Sequence, residues 1–397
     1  MPRTVLMAWE LGGGTGHVMR LKPVAEALRA KGDTVVFAVR ELPNARPLVD
    51  SGFEVVLAPR ILSGLNTQLQ AFNHAELLMR AGFDRPANML TVVASWRALI
   101  ETVAADLVVA DFAPTALLGA AAAGVAAATV GTGFAVPPPV SPLPSVRHWE
   151  KNPVERMARA EHAMLAAVSA SLVAHGRPAP INLGAAFNTG CDLACVFSEL
   201  DHFARPDHAR PHYVGPIFSS PRGAKPTWPD AAGDRIFAYL DAAAGPSAML
   251  TRALANSGRP TLLVARGRAS ADLGRWAGRS LTISHRPVDL AEALSTAALV
   301  VCHGGMGLVS QALMAGVPMV IKPLNPEQRG TALRVESLGA ALTLPQVLSD
   351  EDASAALADA GGQDTRHRSA QVFAARYCDF RVGDAVDQVV AALATTT

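Results

Sequence analysis

Two histidines in this chain stand beside glycine turns, and both could touch a charged ligand. His303 is followed by Gly304, Gly305 and Gly307. A glycine turn that opens a helix offers backbone N–H groups and the positive end of a dipole, which suits a phosphate. His303 can add one more hydrogen bond or a charge. The stretch Leu11-Gly12-Gly13-Gly14-Thr15-Gly16-His17 presents the other imidazole at the carboxyl end of a first strand, where ligands sit in open α/β sheets. Asp111 closes a later strand in the same way, so its carboxylate could meet His17, fix its tautomer and steady an imidazolium. Each residue also has a plainer reading: His303 as a packing side chain in a βαβ turn, His17 as a helix cap, and Asp111 as the N-cap of the helix after it.

The order of residues around His303 narrows the choice. Gln311 lies one turn into the helix, Gly316-Val317-Pro318 follows, and a polar loop then carries Pro323, Glu327 and Gln328. This order resembles the nucleotide-sugar signature of the family 1 glycosyltransferases (the UDP-glycosyltransferase type), whose fold is called GT-B. The match covers His303 to Gln328, with a fainter extension upstream to Pro287. Three positions depart from the family pattern. Leu308 replaces Ser or Thr, Gln311 replaces the Glu that holds the ribose hydroxyls, and Glu327 replaces the Asp of the Asp-Gln pair that faces the donor sugar.

The resemblance implies an inverting, metal-independent hexosyltransferase. A nucleoside diphosphate sugar, UDP or another, would serve as co-substrate without a further cofactor. Gly16-His17 with Pro23, Ala27 and Leu28 is similar to the family segment that supplies the general base, and Asp111 would orient that base. His303, Gly304, Gly305 and Gly307 would hold the diphosphate, Arg286 and Val288 the nucleobase, and Gln311, Glu327 and Gln328 the ribose and sugar. Gly14 and Gly16 would shape the loop that carries the base. The Gly-Gly-Thr-Gly-His wording also resembles the membrane-associated N-acetylglucosaminyltransferases of peptidoglycan synthesis. A lipid acceptor of the cell envelope, with peripheral membrane contact, therefore stays open beside a small-molecule one. So do a non-catalytic nucleotide-sugar binder and a nucleotide-sugar epimerase.

The glycine loop is neither a dinucleotide fingerprint nor a P-loop. Counting six from Gly12 reaches His17 and from Gly14 reaches Met19, and no Gly-Lys-Ser/Thr follows. With 35 Lys and Arg against 34 Asp and Glu, and no dense basic run, the chain does not suit nucleic acid. Cys191 and Cys195 have no second pair near them, so no zinc site is implied, and free thiols fit a reducing compartment. His202, His208 and His212 read as solvated loop histidines. Asp350, Glu351 and Asp352 read as a helix first turn.

A chain of 397 residues, half of them apolar, has material for two cores. Strand, glycine loop, helix and strand over Thr4 to Val39 open a doubly wound domain, and the alternation restarts after Asp234. The expected plan is α/β: two doubly wound, Rossmann-like domains facing across a cleft. Residues 1–216 form an acceptor-binding domain, 217–234 a linker, 235–380 a nucleotide-sugar domain, and 381–397 a helix able to cross back to the first domain. Cys191 to Phe197 is expected as the last strand of the first half, Trp149 to His175 as one long helix, and Gly131 to Arg147 as a proline-rich loop lining a site. Phe112 to Val146 is uncharged and long enough for a membrane span, but its glycines and prolines mark it as buried helix, strand and loop. The N-terminus opens directly into a strand with no leader pattern, so a cytoplasmic protein is expected.

Overall fold

The computed structural model describes residues 2–62, 64–66, 68–219, 223–267, 273–361 and 364–396. The chain divides into two compact units: one runs to Ser219 and resumes at Arg381, the other spans 220–380.

In the first unit, β1 (Thr4–Trp9) leads through the glycine loop into α1 (Gly16–Ala30), then β2 (Thr34–Val39), a short α2 (Arg46–Val49) and β3 (Glu54–Leu57). α3 (His74–Arg80) and α4 (Pro86–Thr102) precede β4 (Leu107–Asp111), α5 (Pro114–Ala123) and β5 (Ala126–Gly131). α6 (Val154–Ala174), α7 (Leu183–Phe187), β6 (Asp192–Ala194) and β7 (His212–Tyr213) follow. Among the described residues these strands form a seven-stranded sheet in the order β3-β2-β1-β4-β5-β6-β7, parallel at each pairing. Central β1 and β4 are buried on both faces, which is why Val5–Ala8 and Leu107–Ala110 are unbroken apolar runs rather than alternating ones.

The register sets up the chemistry. Trp9 pairs with Asp111, so β1 and β4 end level. Just beyond, the Leu11 N–H donates to the Phe112 carbonyl at 2.9 Å and staples the two following loops together.

The uncharged stretch from Phe112 to Val146 folds into α5, β5 and a pinned loop. α5 is buried along most of its length, against α4, and Gly119 is the point of close approach: a Cβ there would stand 2.4 Å from Trp96 Cβ. Glu161 of α6 anchors the loop by accepting from Ser141 Oγ (3.0 Å) and Leu143 N–H (2.8 Å). Among the described residues no helix is long and apolar enough to cross a membrane.

Three expectations need correction here. The strand after Cys191 covers only Asp192–Ala194, and it is not the last: β7 adds to the sheet edge with Leu193 paired to His212. The long helix begins at Val154, not Trp149, because Pro153 stands at its N-cap. The short α7 was not foreseen; Asn182 starts it by accepting from Ala185 N–H at 2.7 Å.

In the second unit β8 (Ile236–Asp241), α8 (Gly245–Asn256), β9 (Thr261–Arg266) and β10 (Leu281–Ser284) are followed by α9 (Leu290–Thr296) and β11 (Leu299–Cys302). α10 (Met306–Met314), β12 (Met319–Ile321), α11 (Pro326–Ser337) and β13 (Ala341–Thr343) continue it, then α12 (Asp350–Gly361) and α13 (Asp364–Arg376). Its described strands make a six-stranded parallel sheet, β10-β9-β8-β11-β12-β13. Of the expected linker 217–234, residues 220–222 lie outside the described residues. Ala224 is not free linker: it pairs with Val288, with Ala224 N–H donating to Pro287 O (3.0 Å) and Asp289 N–H to Ala224 O (2.9 Å). The chain ends in the first unit. There α14 (Val382–Ala394) packs on α1, and Arg3 Nη1 donates to the Leu393 carbonyl at 3.0 Å.

Candidate active site

His17 sits in the first turn of α1 and is 8% exposed. Its Nδ1–H donates to Asp111 Oδ1 at 2.9 Å, which leaves Nε2 as the free lone pair of the neutral ring. Trp9 stacks on the imidazole with centroids 5.3 Å apart and planes 17° apart, and Phe112 lies 6.4 Å away at 24°. Gly12 makes room for the ring. At φ +79°, a Cβ there would be 2.6 Å from His17 Nε2, so both backbone and space require glycine. Gly14 also has positive φ, whereas a Cβ on Gly16 would meet nothing within 4 Å. The residue that fits the loop to His17 is therefore Gly12.

Asp111 is fully buried and does not cap α5, whose N-cap is Ala113. Its second oxygen accepts from Arg20 Nη1 at 2.5 Å. Burial alone would raise the Asp111 pKa. The Arg20 guanidinium, the His17 ring and the hydrogen bonds from both outweigh it, and the carboxyl is held below its ordinary range. Arg20 was not foreseen; it lies one helical turn beyond His17, the only signal being that i, i+3 spacing.

Glu10, also unforeseen, caps α5 in Asp111's place. Its carboxylate accepts from Thr115 N–H (2.9 Å) and from the Thr115 hydroxyl. Burial pushes its pKa up to about 7, with the Thr115 bonds offsetting part of that rise. A carboxyl raised in the folded state stabilises fully below its unfolded pKa, and that contribution is lost as pH rises through about 7. Glu10→Gln removes the penalty, on the order of 3 kcal/mol for such a shift. The melting temperature of the parent therefore falls more steeply from pH 5.5 to 8 than that of the variant. Parallel slopes in a melting series would show that Glu10 does not titrate there.

In the second unit, β11 delivers His303 to the start of α10. His303 Nδ1–H donates to the Lys322 carbonyl at 2.8 Å, and Nε2 lies 3.4 Å from Ser247 Oγ. Ser247, in the first turn of α8, donates to the Asp241 carbonyl at 2.6 Å. Burial lowers the His303 pKa; the Lys322 hydrogen bond and the Asp241 charge oppose this in part. Gly304 needs its glycine: at φ +87°, a Cβ would lie 3.0 Å from the Gln328 carbonyl and from Ile321. Beside Gly305 and Gly307 there is open space, and Gly305 caps α10 without a side chain. The first-turn amides of α10 have no acceptor within the helix.

Known proteins show the same organisation. Residues 246–360 match the family model of UDP-glucuronosyl and UDP-glucosyl transferases. The chain is 28% identical over 305 residues to a PGL/p-HBAD biosynthesis rhamnosyltransferase of Mycobacterium bovis (strain BCG), covering 67% of this chain and 66% of that protein. It is 25% identical over 410 residues to a PGL/p-HBAD biosynthesis glycosyltransferase of Mycobacterium tuberculosis, covering 89% and 94%. The crystal structure of CalG4, the calicheamicin glycosyltransferase, superposes with a TM-score of 0.72 at 19% identity over 99% of both chains. The chain has the GT-B fold of these glycosyltransferases, and its residues 246–360 carry the UDP-glycosyltransferase pattern.

Two of the residues expected to face the donor make local bonds. Gln311 Nε2 donates to Gly307 O at 3.0 Å, so the side chain folds back along α10. Gln328 is engaged in capping α11: Asn325 Oδ1 accepts from Gln328 N–H (2.9 Å), and Gln328 Oε1 accepts from Leu324 N–H (2.8 Å). Glu327 is half-buried in the first turn of α11, and Arg286 is exposed. His202, His208 and His212 do not converge. His202 packs against Phe134, His208 is exposed, and His212 lies 3.3 Å from Gln388.

Proposed function

We propose that this protein is a glycosyltransferase that moves a hexosyl group from a nucleoside diphosphate sugar to an acceptor hydroxyl in a single displacement, with inversion and without a metal ion. The acceptor oxygen attacks the anomeric carbon as the bond to the diphosphate oxygen breaks. His17 Nε2 takes the acceptor proton, and the nucleoside diphosphate leaves with the electron pair. The observation that carries this reading is the Nδ1–H bond from His17 to buried Asp111, which turns the basic nitrogen away from the carboxylate. Asp111 is held by two partners and is itself unexposed, which disfavours it as the nucleophile of a double displacement. The open amides at the start of α10, with His303, suit the charge that builds on the leaving diphosphate.

The test is transfer from a panel of nucleoside diphosphate sugars to simple alcohols in EDTA, with product configuration read from NMR coupling constants. Inverted product is expected. Retained configuration, or transfer only after a divalent ion is added, overturns the mechanism. Nucleotide binding with neither transfer nor hydrolysis favours the non-catalytic reading instead. His303→Ala is expected to weaken nucleoside diphosphate binding about tenfold or more: with Nδ1–H committed to the Lys322 carbonyl, the ring takes up a proton as the diphosphate binds and donates from Nε2, and a hydrogen bond to a charged group contributes about 1.5–3 kcal/mol. Calorimetric titration of parent and variant measures it.

A further inference from the structure

We propose that Arg20 is a positioning residue of the reaction: by neutralising Asp111 it keeps the His17 ring in the neutral form that accepts a proton. The proposal rests on the reading of His17 as the base, but the charge balance behind it follows from the cluster's own geometry.

Three groups meet in one buried cluster. One oxygen of Asp111 accepts from His17 Nδ1–H at 2.9 Å, and the other accepts from Arg20 Nη1 at 2.5 Å. The side chains of Arg20 and His17 are 9% and 10% exposed, and that of Asp111 is 0% exposed. Trp9 stacks on the imidazole, and Phe112, held at the left-handed φ of +51°, lies 6.4 Å from it. Little solvent screens charges placed so deep. A carboxylate bonded to an imidazole favours the imidazolium. A ring that already carries its second proton has no lone pair for the acceptor hydroxyl, so an unopposed Asp111 would orient the base and disarm it together. Arg20 removes that conflict. With Arg20 the cluster is electrically neutral when the ring is neutral; without it, the cluster is neutral only when the ring is protonated. Burial favours the neutral arrangement in each case. The guanidinium also stands three residues along the same helix, where i and i+3 side chains are neighbours, and repels a second cation there.

The neighbouring ionisable groups do not supply that balance. Cys195 lies near both Arg20 and Asp111, but burial pushes its thiol up to about 12, so it is uncharged. His74, edge-on to Phe112 at 6.5 Å, is pushed down to about 4 by burial and is neutral. Glu10, just past β1, turns its carboxylate to Thr115, and Lys22 on α1 pairs with Glu26. The end of β5 presents Gly131 to Asp111, without a charge. Among the charges that act on Asp111, Arg20 weighs most.

The experiment follows the ring nitrogens of His17 by heteronuclear NMR from pH 5 to 9 in the full chain, without substrate, with His17→Ala to assign the signals. Arg20→Met and Arg20→Gln, one without a hydrogen-bond donor and one with, are each expected to raise the ring's titration midpoint above the parent's by about one unit or more, the scale of a nearby buried charge. Arg20→Lys keeps the charge and stays close to the parent. Joining Arg20→Met to Asp111→Asn removes both charges and returns the midpoint close to the parent's, a comparison that holds even where a single uncharged variant fails to fold; melting curves report which do. Glu10 is present in every variant, so its own titration is common to all. Midpoints in Arg20→Met and Arg20→Gln equal to the parent's, or a double variant displaced from the parent as far as Arg20→Met is, overturn the proposal and leave Arg20 as a structural partner of Asp111 only. If the ring shifts as expected while the acid limb of kcat/KM stays in place, the charge balance stands and the transfer reading alone is sunk.

Discussion

His17→Ala lowers kcat by about 100- to 10,000-fold, the range for removal of a positioned general base, while nucleoside diphosphate affinity stays at the parent value. The geometry explains why the loss falls on the chemical step. His17 is packed between Trp9 and Phe112, its Nδ1 is committed to Asp111, and only Nε2 is available to a substrate proton. Exogenous imidazole added to the variant should restore part of the rate. A ring that merely packed the loop would not be replaced from solution. Full activity in the alanine variant, or loss that imidazole leaves untouched together with a lowered melting temperature, removes His17 as the base.

Asp111→Asn has the second large effect, and it divides between stability and catalysis. The substitution takes the carboxylate from Arg20 and His17 together, in a site where Asp111 is fully buried. Removing one partner of a buried ion pair costs about 3–5 kcal/mol. Because the Asp111 pKa is depressed, its contribution is fully present above the ordinary carboxyl range and is lost only as pH falls through the lowered value. The destabilisation should therefore be constant from pH 6 to 8, unlike that involving Glu10. Pairing Asp111→Asn with Arg20→Met separates the two roles. The double variant regains stability, since no buried guanidinium is left without its carboxylate, but it does not regain kcat, since the imidazole has still lost its orienting group. Denaturant titration and turnover, measured side by side, read the two effects. If the double variant recovers turnover, Asp111 serves only to neutralise Arg20.

The elements legible in the chain were those with local signals. Thr4–Trp9, Thr34–Val39 and Leu299–Cys302 are apolar runs closed by turn residues, and each forms the strand expected. His17 and Asp111 could be paired on paper because both follow central strands, and Trp9 opposite Asp111 supplies the register that brings them together. What could not be read depends on contacts far apart in sequence. β7 is two residues long and owes its place to Leu193, not to its own composition. Glu10 reads as a loop carboxylate until Thr115, 105 positions later, folds over it. Gln311 and Gln328 fit a donor signature by spacing, but spacing does not show that one bonds its own helix and the other caps one. The left-handed backbone of Phe112 has no sequence marker, because glycine, the residue that would announce it, is absent there.

The return of α14 to the first unit bears on how the protein is made. Val389, Val390 and Leu393 are buried there, while residues 220–380 form a unit that is contiguous in sequence. A ribosome therefore emits everything the second unit needs before it emits the helix that covers α1. Vectorial synthesis ordinarily lets N-terminal domains finish first; here the earlier-made unit is the later one completed, and until residue 394 clears the exit tunnel the nascent chain carries an apolar strip for chaperones to guard.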